Sequence, residues 1–259
     1  MIDLTVDGRG VATLALGRPD KHNALSQDLI DALKATAAKI AANPEIRAVV
    51  LTGQGVSFCA GGDLGWMRDQ MAGDAAMKRA AARSIAQMLA ALNALPQPLI
   101  GRVQGNAFGG GVGLACVCDV VIAADHAKFG LTETKLGLIP ATIGPYVLAR
   151  MGEANARRVF MSGRIFDATE AIALGVVAKA VPADMLDTQV AAEVDPYLAC
   201  APGAVASAKA FARSLGPKIN ESVIEHSIDA LIARWDTDEA KEGISAFFER
   251  RKPRWAPES

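Results

Sequence analysis

The apolar positions of this chain change period several times, and each change marks an element. Leu4 and Val6, then Val11, Thr13 and Ala15, occupy alternate positions on either side of Asp7-Gly8-Arg9-Gly10. Alternation is the period of a half-buried strand and Asp-Gly is a strong hairpin signal, so residues 1–17 read as two strands. After the loop Arg18-Pro19-Asp20-Lys21-His22-Asn23 the spacing shifts. Leu29, Ile30, Leu33, Ala37 and Ile40 recur on a helical repeat behind Ser26, whose hydroxyl suits a cap, and Pro44 closes the run. Ala48-Val49-Val50-Leu51-Thr52 is short, apolar and unbroken, as expected of a strand covered on both faces.

A loop from Gly53 to Asp63 leads into an Ala-, Met- and Arg-rich stretch that reads as helix to about Leu95, where Pro96 and Pro98 end it. Leu99-Ile100-Gly101-Arg102-Val103 and Val120-Val121-Ile122-Ala123 are further buried strands, and Gly109-Gly110-Gly111 opens a short helix between them. Strands alternating with helices imply a parallel sheet with crossover helices, an α/β core. Past Val181 the pattern is helical: residues 184–200, 202–215, 220–234 and 236–251, separated by Pro202, Gly216-Pro217 and Asp236. Two parts follow, a core over residues 1–195 and a helical region over 196–259. The second is amphipathic and is expected to pack on the core or on a neighbouring subunit.

Composition narrows the class. Of 259 residues, 51% are hydrophobic and 21% charged, ample material for a large core. Lys and Arg number 27 against 28 Asp and Glu, a formal charge of −1. That balance lacks the basic excess that phosphate neutralisation demands, so nucleic acid is not an expected partner. The N-terminal residues lack a basic region followed by an apolar one, and no segment approaches the ~20 apolar residues of a membrane span. A cytoplasmic protein without a membrane partner is the expectation. Cys116-Val117-Cys118 lacks the two-residue gap of a zinc knuckle or a redox motif, so Cys59, Cys116, Cys118 and Cys200 read as small, buried, reduced thiols.

Several familiar catalytic patterns are missing. Gly55-Val56-Ser57-Phe58-Cys59 lacks the second glycine of a nucleophile elbow. His22, His126 and His226 stand singly, without metal spacing, and read as surface or structural residues. Two glycine loops remain, Ser57-Phe58-Cys59-Ala60-Gly61-Gly62-Asp63-Leu64 and Gly105-Asn106-Ala107-Phe108-Gly109-Gly110-Gly111, each following a buried strand. Ligands sit at the carboxyl ends of parallel strands in α/β folds, and the second loop adds the positive end of a helix. The pair reads either as tight turns in a crowded core or as backbone donors converging on one oxygen. The acid–base candidate is Glu133, in Phe129-Gly130-Leu131-Thr132-Glu133-Thr134-Lys135-Leu136-Gly137. It is either a partly buried carboxyl with a raised pKa or a solvated helix cap.

Together these motifs resemble the crotonase family, the enoyl-CoA hydratases and isomerases. The matching stretches, in the family's order, are Arg18-Pro19…Asn23-Ala24-Leu25, Phe58-Cys59-Ala60-Gly61-Gly62-Asp63-Leu64, Gly105…Gly109-Gly110-Gly111, Cys118-Asp119, Phe129-Gly130…Glu133…Leu136-Gly137 and Gly243…Ala246-Phe247-Phe248-Glu249-Arg250-Arg251-Lys252. The resemblance implies a spiral of ββα units with a helical C-terminal region that mediates trimers, often paired into hexamers. It implies an acyl-CoA thioester substrate and no separate cofactor, since coenzyme A is part of the substrate. Carried over by position, the oxyanion hole is the backbone N–H pair of Gly62 and Gly110. The adenine pocket falls near Ala60 and Leu64. Phe247 and Arg250, of the same or an adjacent subunit, meet the nucleotide end, and Lys21 meets a phosphate.

One departure stands out. Typical hydratases of this family carry two glutamates, and here Gly113 occupies the first position while Glu133 occupies the second. Hydration needs a water activated at the β-carbon and a proton delivered to the α-carbon. With one carboxyl serving both roles, or another group replacing the missing glutamate, hydration of a 2-enoyl-CoA is the leading expectation. A lone glutamate also suits a Δ3,Δ2-enoyl-CoA isomerase, and a lost glutamate suits a non-catalytic acyl-CoA-binding protein. The run Gly109-Gly110-Gly111-Val112-Gly113-Leu114 with Leu136-Gly137-Leu138-Ile139-Pro140 is similar to bacterial members labelled methylglutaconyl-CoA or isohexenylglutaconyl-CoA hydratases, of leucine and acyclic terpene breakdown. 3-Methylglutaconyl-CoA is therefore a candidate substrate. Trp66, Met67 and Met71 could wall an acyl pocket but read more readily as core, so they are not counted among the site residues.

Overall fold

The computed structural model describes residues 1–257. The strands are β1 (Ile2–Val6), β2 (Val11–Leu16), β3 (Ala48–Gly53), β4 (Ser57–Cys59), β5 (Leu99–Val103), β6 (Asn106–Phe108), β7 (Val120–Ala124), β8 (Lys128–Gly130), β9 (Ile165–Asp167) and β10 (Lys179–Val181). The helices are α1 (Gln27–Ala42), α2 (Leu64–Ala72), α3 (Ala75–Asn93), α4 (Gly110–Val117), α5 (Gly144–Met151), α6 (Glu153–Phe160), α7 (Ala168–Ala173), α8 (Leu186–Leu198), α9 (Pro202–Leu215), α10 (Glu221–Trp235) and α11 (Asp238–Phe248). Among the described residues no helix is long and apolar enough to cross a membrane.

A six-stranded sheet runs in the order β1-β2-β3-β5-β7-β10, antiparallel only between β1 and β2. A second sheet, β4-β6-β8-β9, is built from strands of three residues each, and β4, β6 and β8 are parallel. The chain alternates between the two: β3 then β4, β5 then β6, β7 then β8, each pair followed by helix. This is the ββα spiral that the resemblance implies. The small sheet is not visible in the hydrophobic pattern, because three residues are too few to display a period of two.

Local chemistry explains most of the boundaries. The Ser26 hydroxyl accepts from Leu29 N–H and caps α1, and all six residues of β3 are buried, as their unbroken apolar run predicts. The long helix expected from Asp63 to Leu95 is instead two. Gly73 interrupts it, and Asp74 starts a second helix by accepting from Met77 N–H at 2.8 Å.

The largest apolar cluster lies inside the spiral, where α1, α3 and α4 meet the sheets. A second covers the other face of the large sheet: Leu186, Val190 and Val194 of α8 pack on Val11, Val50, Ile100 and Ile122. The boundary expected at 195/196 therefore falls inside α8, a helix that belongs to the core by its packing. A third cluster joins α10 and α11 to Ala82 and Ala86 of α3 and to Leu138 and Ala141. Of the cysteines, Cys59, Cys116 and Cys118 are buried, and burial pushes their thiols up to about 12, whereas Cys200 is exposed, contrary to expectation.

Candidate active site

The small sheet gathers the loops that the sequence singles out. β4 delivers the chain into Ala60-Gly61-Gly62-Asp63, β6 into Gly109-Gly110 and β8 into Thr132-Glu133. Because β4, β6 and β8 are parallel neighbours, all three loops leave the same edge. They open onto one cavity of about 460 Å³, the size of a small-molecule site. Its lining is mostly apolar, with Leu25, Trp66, Met67 and Ile143 near the loops and Leu231, Trp235 and Phe247 contributed by the C-terminal helices.

Gly109 is the hinge of the arrangement. Its φ of +47° lies where L side chains are strained, and a Cβ there would stand 2.9 Å from Oε1 of Glu133. Its own N–H donates to Gly130 O at 2.8 Å, tying the β6 loop to β8. The next residue, Gly110, begins α4, so its N–H has no acceptor within the helix. Gly62 is held on both flanks: Leu25 N–H donates to Gly61 O at 2.7 Å, and Asp63 N–H donates to Leu25 O at 3.0 Å. This bridge uses the neighbours of Gly62 and leaves its own N–H free. Among the described residues neither the Gly62 nor the Gly110 amide has a hydrogen-bond acceptor. The loops touch, since a Cβ on Gly61 would lie 3.7 Å from Gly110 N.

Glu133 starts a single 3-10 turn, Glu133–Leu136, that ends at left-handed Gly137. Some of the residue faces the cavity, but its Oε2 is buried without a hydrogen-bond partner. Burial, opposed only by a backbone hydrogen bond, raises its pKa from 4.5 to about 7. Such a carboxyl takes and returns protons with little bias near neutral pH. The solvated-cap alternative is thereby removed.

Of the residues that the sequence singles out, Gly62, Gly110, Glu133, Ala60, Leu64 and Phe247 line this cavity together. Trp66 and Met67 line it too, whereas Met71 packs in the cluster with α10 and α11. Lys21 and Arg250 are exposed and do not reach the cavity within the protomer. Gly113 is not in the lining either. One turn into α4, it packs against Ile143, whose Cγ2 would lie 2.6 Å from a Cβ added at Gly113. Ile143, Lys135 and Trp235 are lining residues that the sequence reading did not single out as part of a site. Only the fold of residues 131–144 and the return of α10 place them there.

Among the described residues no histidine lines the cavity, although His22 O accepts from the N–H of Ala60, which does, at 3.0 Å. His22 Nδ1 lies 3.0 Å from Ser57 Oγ, while His126 and His226 are exposed.

A two-sheet ββα spiral, with helices closing a cavity over two free glycine amides and a buried carboxyl, is the crotonase fold. Comparison with known proteins agrees. The family model described as enoyl-CoA hydratase/isomerase matches residues 7–258. The structure of an enoyl-CoA hydratase from Shewanella pealeana is 36% identical, with a TM-score of 0.80 over 98% of this chain and 95% of its own. An enoyl-CoA hydratase from Mycobacterium avium is 29% identical, with a TM-score of 0.85 over 98% of each chain. AtuE of Pseudomonas aeruginosa is 36% identical, with a TM-score of 0.80 over 99% of each. The chain belongs to the enoyl-CoA hydratase/isomerase family, a family of enzymes acting on acyl-CoA thioesters.

Proposed function

We propose that this enzyme adds water across the double bond of a 2-enoyl-CoA, with Glu133 as its single acid–base group. The observation that carries the reading is the Glu133 carboxyl: buried at the cavity wall, unpartnered at Oε2, titrating near 7, and packed against the turn that presents the Gly110 amide. The thioester oxygen sits between the N–H groups of Gly62 and Gly110. As hydroxide adds to the β-carbon, negative charge moves to that oxygen and is met by two preorganised donors. Glu133 takes the proton from the attacking water and returns it to the α-carbon, so one O–H bond and the π bond of the alkene are exchanged for one C–O and one C–H bond. No separate cofactor enters this scheme, since coenzyme A arrives as part of the substrate.

Lys135, the cationic side chain in the cavity wall, supports an acyl chain with its own carboxylate, such as 3-methylglutaconyl-CoA. Assembly into trimers, paired or not, is supported by α9, which buries none of its residues in the protomer and exposes Phe211 and Leu215. A neighbouring subunit also gives Lys21 and Arg250 a route to the nucleotide. Sedimentation at trimer or hexamer mass is the expected result, and a monomer refutes this part.

A second reading rests on one specific observation. Ile143 fills the space beside Gly113, leaving Glu133 as the carboxylate in the lining, and one carboxylate suffices to move a double bond from the 3- to the 2-position. Incubation in deuterated water with crotonyl-CoA, 3-methylglutaconyl-CoA and a 3-enoyl-CoA separates the two. Gain of one water by either 2-enoyl thioester is expected. Conversion of the 3-enoyl thioester without water gain, with both 2-enoyl thioesters inert, replaces hydration with isomerisation.

A further inference from the structure

We infer that Arg18 is a positioning residue for this reaction, acting through Asp63 to hold the Gly62 amide at the thioester oxygen. The inference rests on the oxyanion reading above. Neither Arg18 nor Asp63 lines the cavity, so neither can touch the acyl group. Yet the Arg18 guanidinium ties together the two segments that meet at the isolated Leu25–Gly62 bridge. One nitrogen donates to Ala24 O at 2.7 Å, and the other donates to Asp63 Oδ2 at 2.9 Å.

These two bonds close a ring with the pair already described, Leu25 N–H to Gly61 O and Asp63 N–H to Leu25 O. Ala24 immediately precedes Leu25, and Asp63 immediately follows Gly62. The peptide units on which the Gly62 N–H direction depends are therefore fixed from both chains. The ion pair is shielded, with the Arg18 side chain 21% and the Asp63 side chain 16% exposed, so its geometry is little loosened by water.

Asp63 has a second attachment. Its Oδ1 accepts from Gly65 N–H at 2.9 Å and Trp66 N–H at 3.3 Å, capping α2. One carboxylate thus joins the Arg18 loop to the helix that follows the glycine pair. A planar, two-pronged guanidinium can make both bonds at once, and a lysine ammonium cannot reproduce that fork. The Arg18 loop is itself built for the approach. Asn23 is fully buried at a φ of +55°, with Oδ1 accepting from Arg18 N–H and Nδ2 donating to Gln54 O and Ser57 O.

The test uses Arg18→Gln, Arg18→Lys and Asp63→Asn in the full-length protein, the last retaining an oxygen to cap α2. Misplacing an oxyanion donor is expected to lower kcat about 10–100-fold in Arg18→Gln and Asp63→Asn, with KM within about threefold of the parent. Arg18→Lys is expected to fall between. The readout that a purely structural role leaves unmoved is the absorption of bound cinnamoyl-CoA, whose conjugated thioester shifts to longer wavelength when its carbonyl is polarised. The parent protein is expected to show the shift, and folded variants are expected to lose most of it. Variants that melt earlier but keep both kcat and the shift overturn the role of Arg18 and leave the oxyanion reading intact. A parent protein that turns over a 2-enoyl-CoA yet shows no shift removes the oxyanion reading and Arg18's role with it. If Arg18→Gln fails to fold, Asp63→Asn and Arg18→Lys decide by the same two readouts.

Discussion

Gly109 and Gly113 lie one turn apart at the start of α4, joined by the hydrogen bond from Gly113 N–H to Gly109 O, and each admits one neighbour where a Cβ would stand. At Gly109 the neighbour is the carboxylate of Glu133; at Gly113 it is Ile143. The same device, a glycine permitting close approach to a helix, thus admits a carboxylate at one turn and an apolar side chain at the next. The difference teaches that what a helix-start glycine does is set by the group that fills the place of its missing Cβ. In the family pattern the Gly113 position holds a second glutamate, and here the fold has closed that position with a packed side chain.

The comparison breaks most sharply at Glu133. Glu133→Gln keeps the shape and removes the proton carrier, so turnover of the 2-enoyl-CoA substrate is expected to fall about 10²–10⁴-fold in steady-state assays. Unchanged turnover rejects Glu133 as the acid–base group. Next is Gly109→Ala, which places a methyl group against Oε1 at a backbone angle that alanine resists. A shift of the carboxylate is expected to cost about 100-fold in kcat. It should also lower Tm, read by thermal melting.

The pH dependence follows from the same group. The ionised form takes the proton from water, so kcat/KM is expected to fall about tenfold per pH unit below an inflection near 7. Stability has the opposite sense. The folded pKa, about 7, lies above the ordinary 4.5, so the folded state holds a proton that the unfolded chain has lost. The stabilisation from protonation is therefore full below about 4.5 and is lost as pH rises through about 7, on the order of 3 kcal/mol in all. Denaturant titrations at pH 5 and pH 8 should show Glu133→Gln gaining much more on the parent at the higher pH.

The smallest effect sharpens the other side. Gly113→Ala is expected to cost about 1–3 kcal/mol through collision with Ile143, with kcat nearly preserved. Truncation to Ile143→Ala should recover part of that loss, a coupling that a double-mutant cycle in denaturant will measure. Gly113→Glu alone is expected to destabilise rather than supply a second carboxylate, because its side chain must displace Ile143 first.

The apolar periodicities were enough to mark β1, β2, α1, β3, β5, β7 and the four C-terminal helices, since each is long enough to show its repeat. The motif order also singled out Gly62, Gly110 and Glu133, which the structure brings to one cavity, because glycine runs and a lone carboxyl leave a mark in sequence. What escaped was short or distant. Three-residue strands have no readable period, yet β4, β6 and β8 bring three loops to one cavity. The break at Gly73 was hidden by good helix formers on both sides.

The sequence by itself determined the α/β class, the helical C-terminal region, the two glycine loops and the lone carboxyl, all matters of local period or of residue identity. Only the tertiary structure decided that Glu133 Oε2 is buried rather than solvated, that Ile143 closes the face of Gly113, and that α10 and α11 return to wall the cavity. Each of these depends on which groups lose water on folding, and desolvation is set by neighbours far away along the chain.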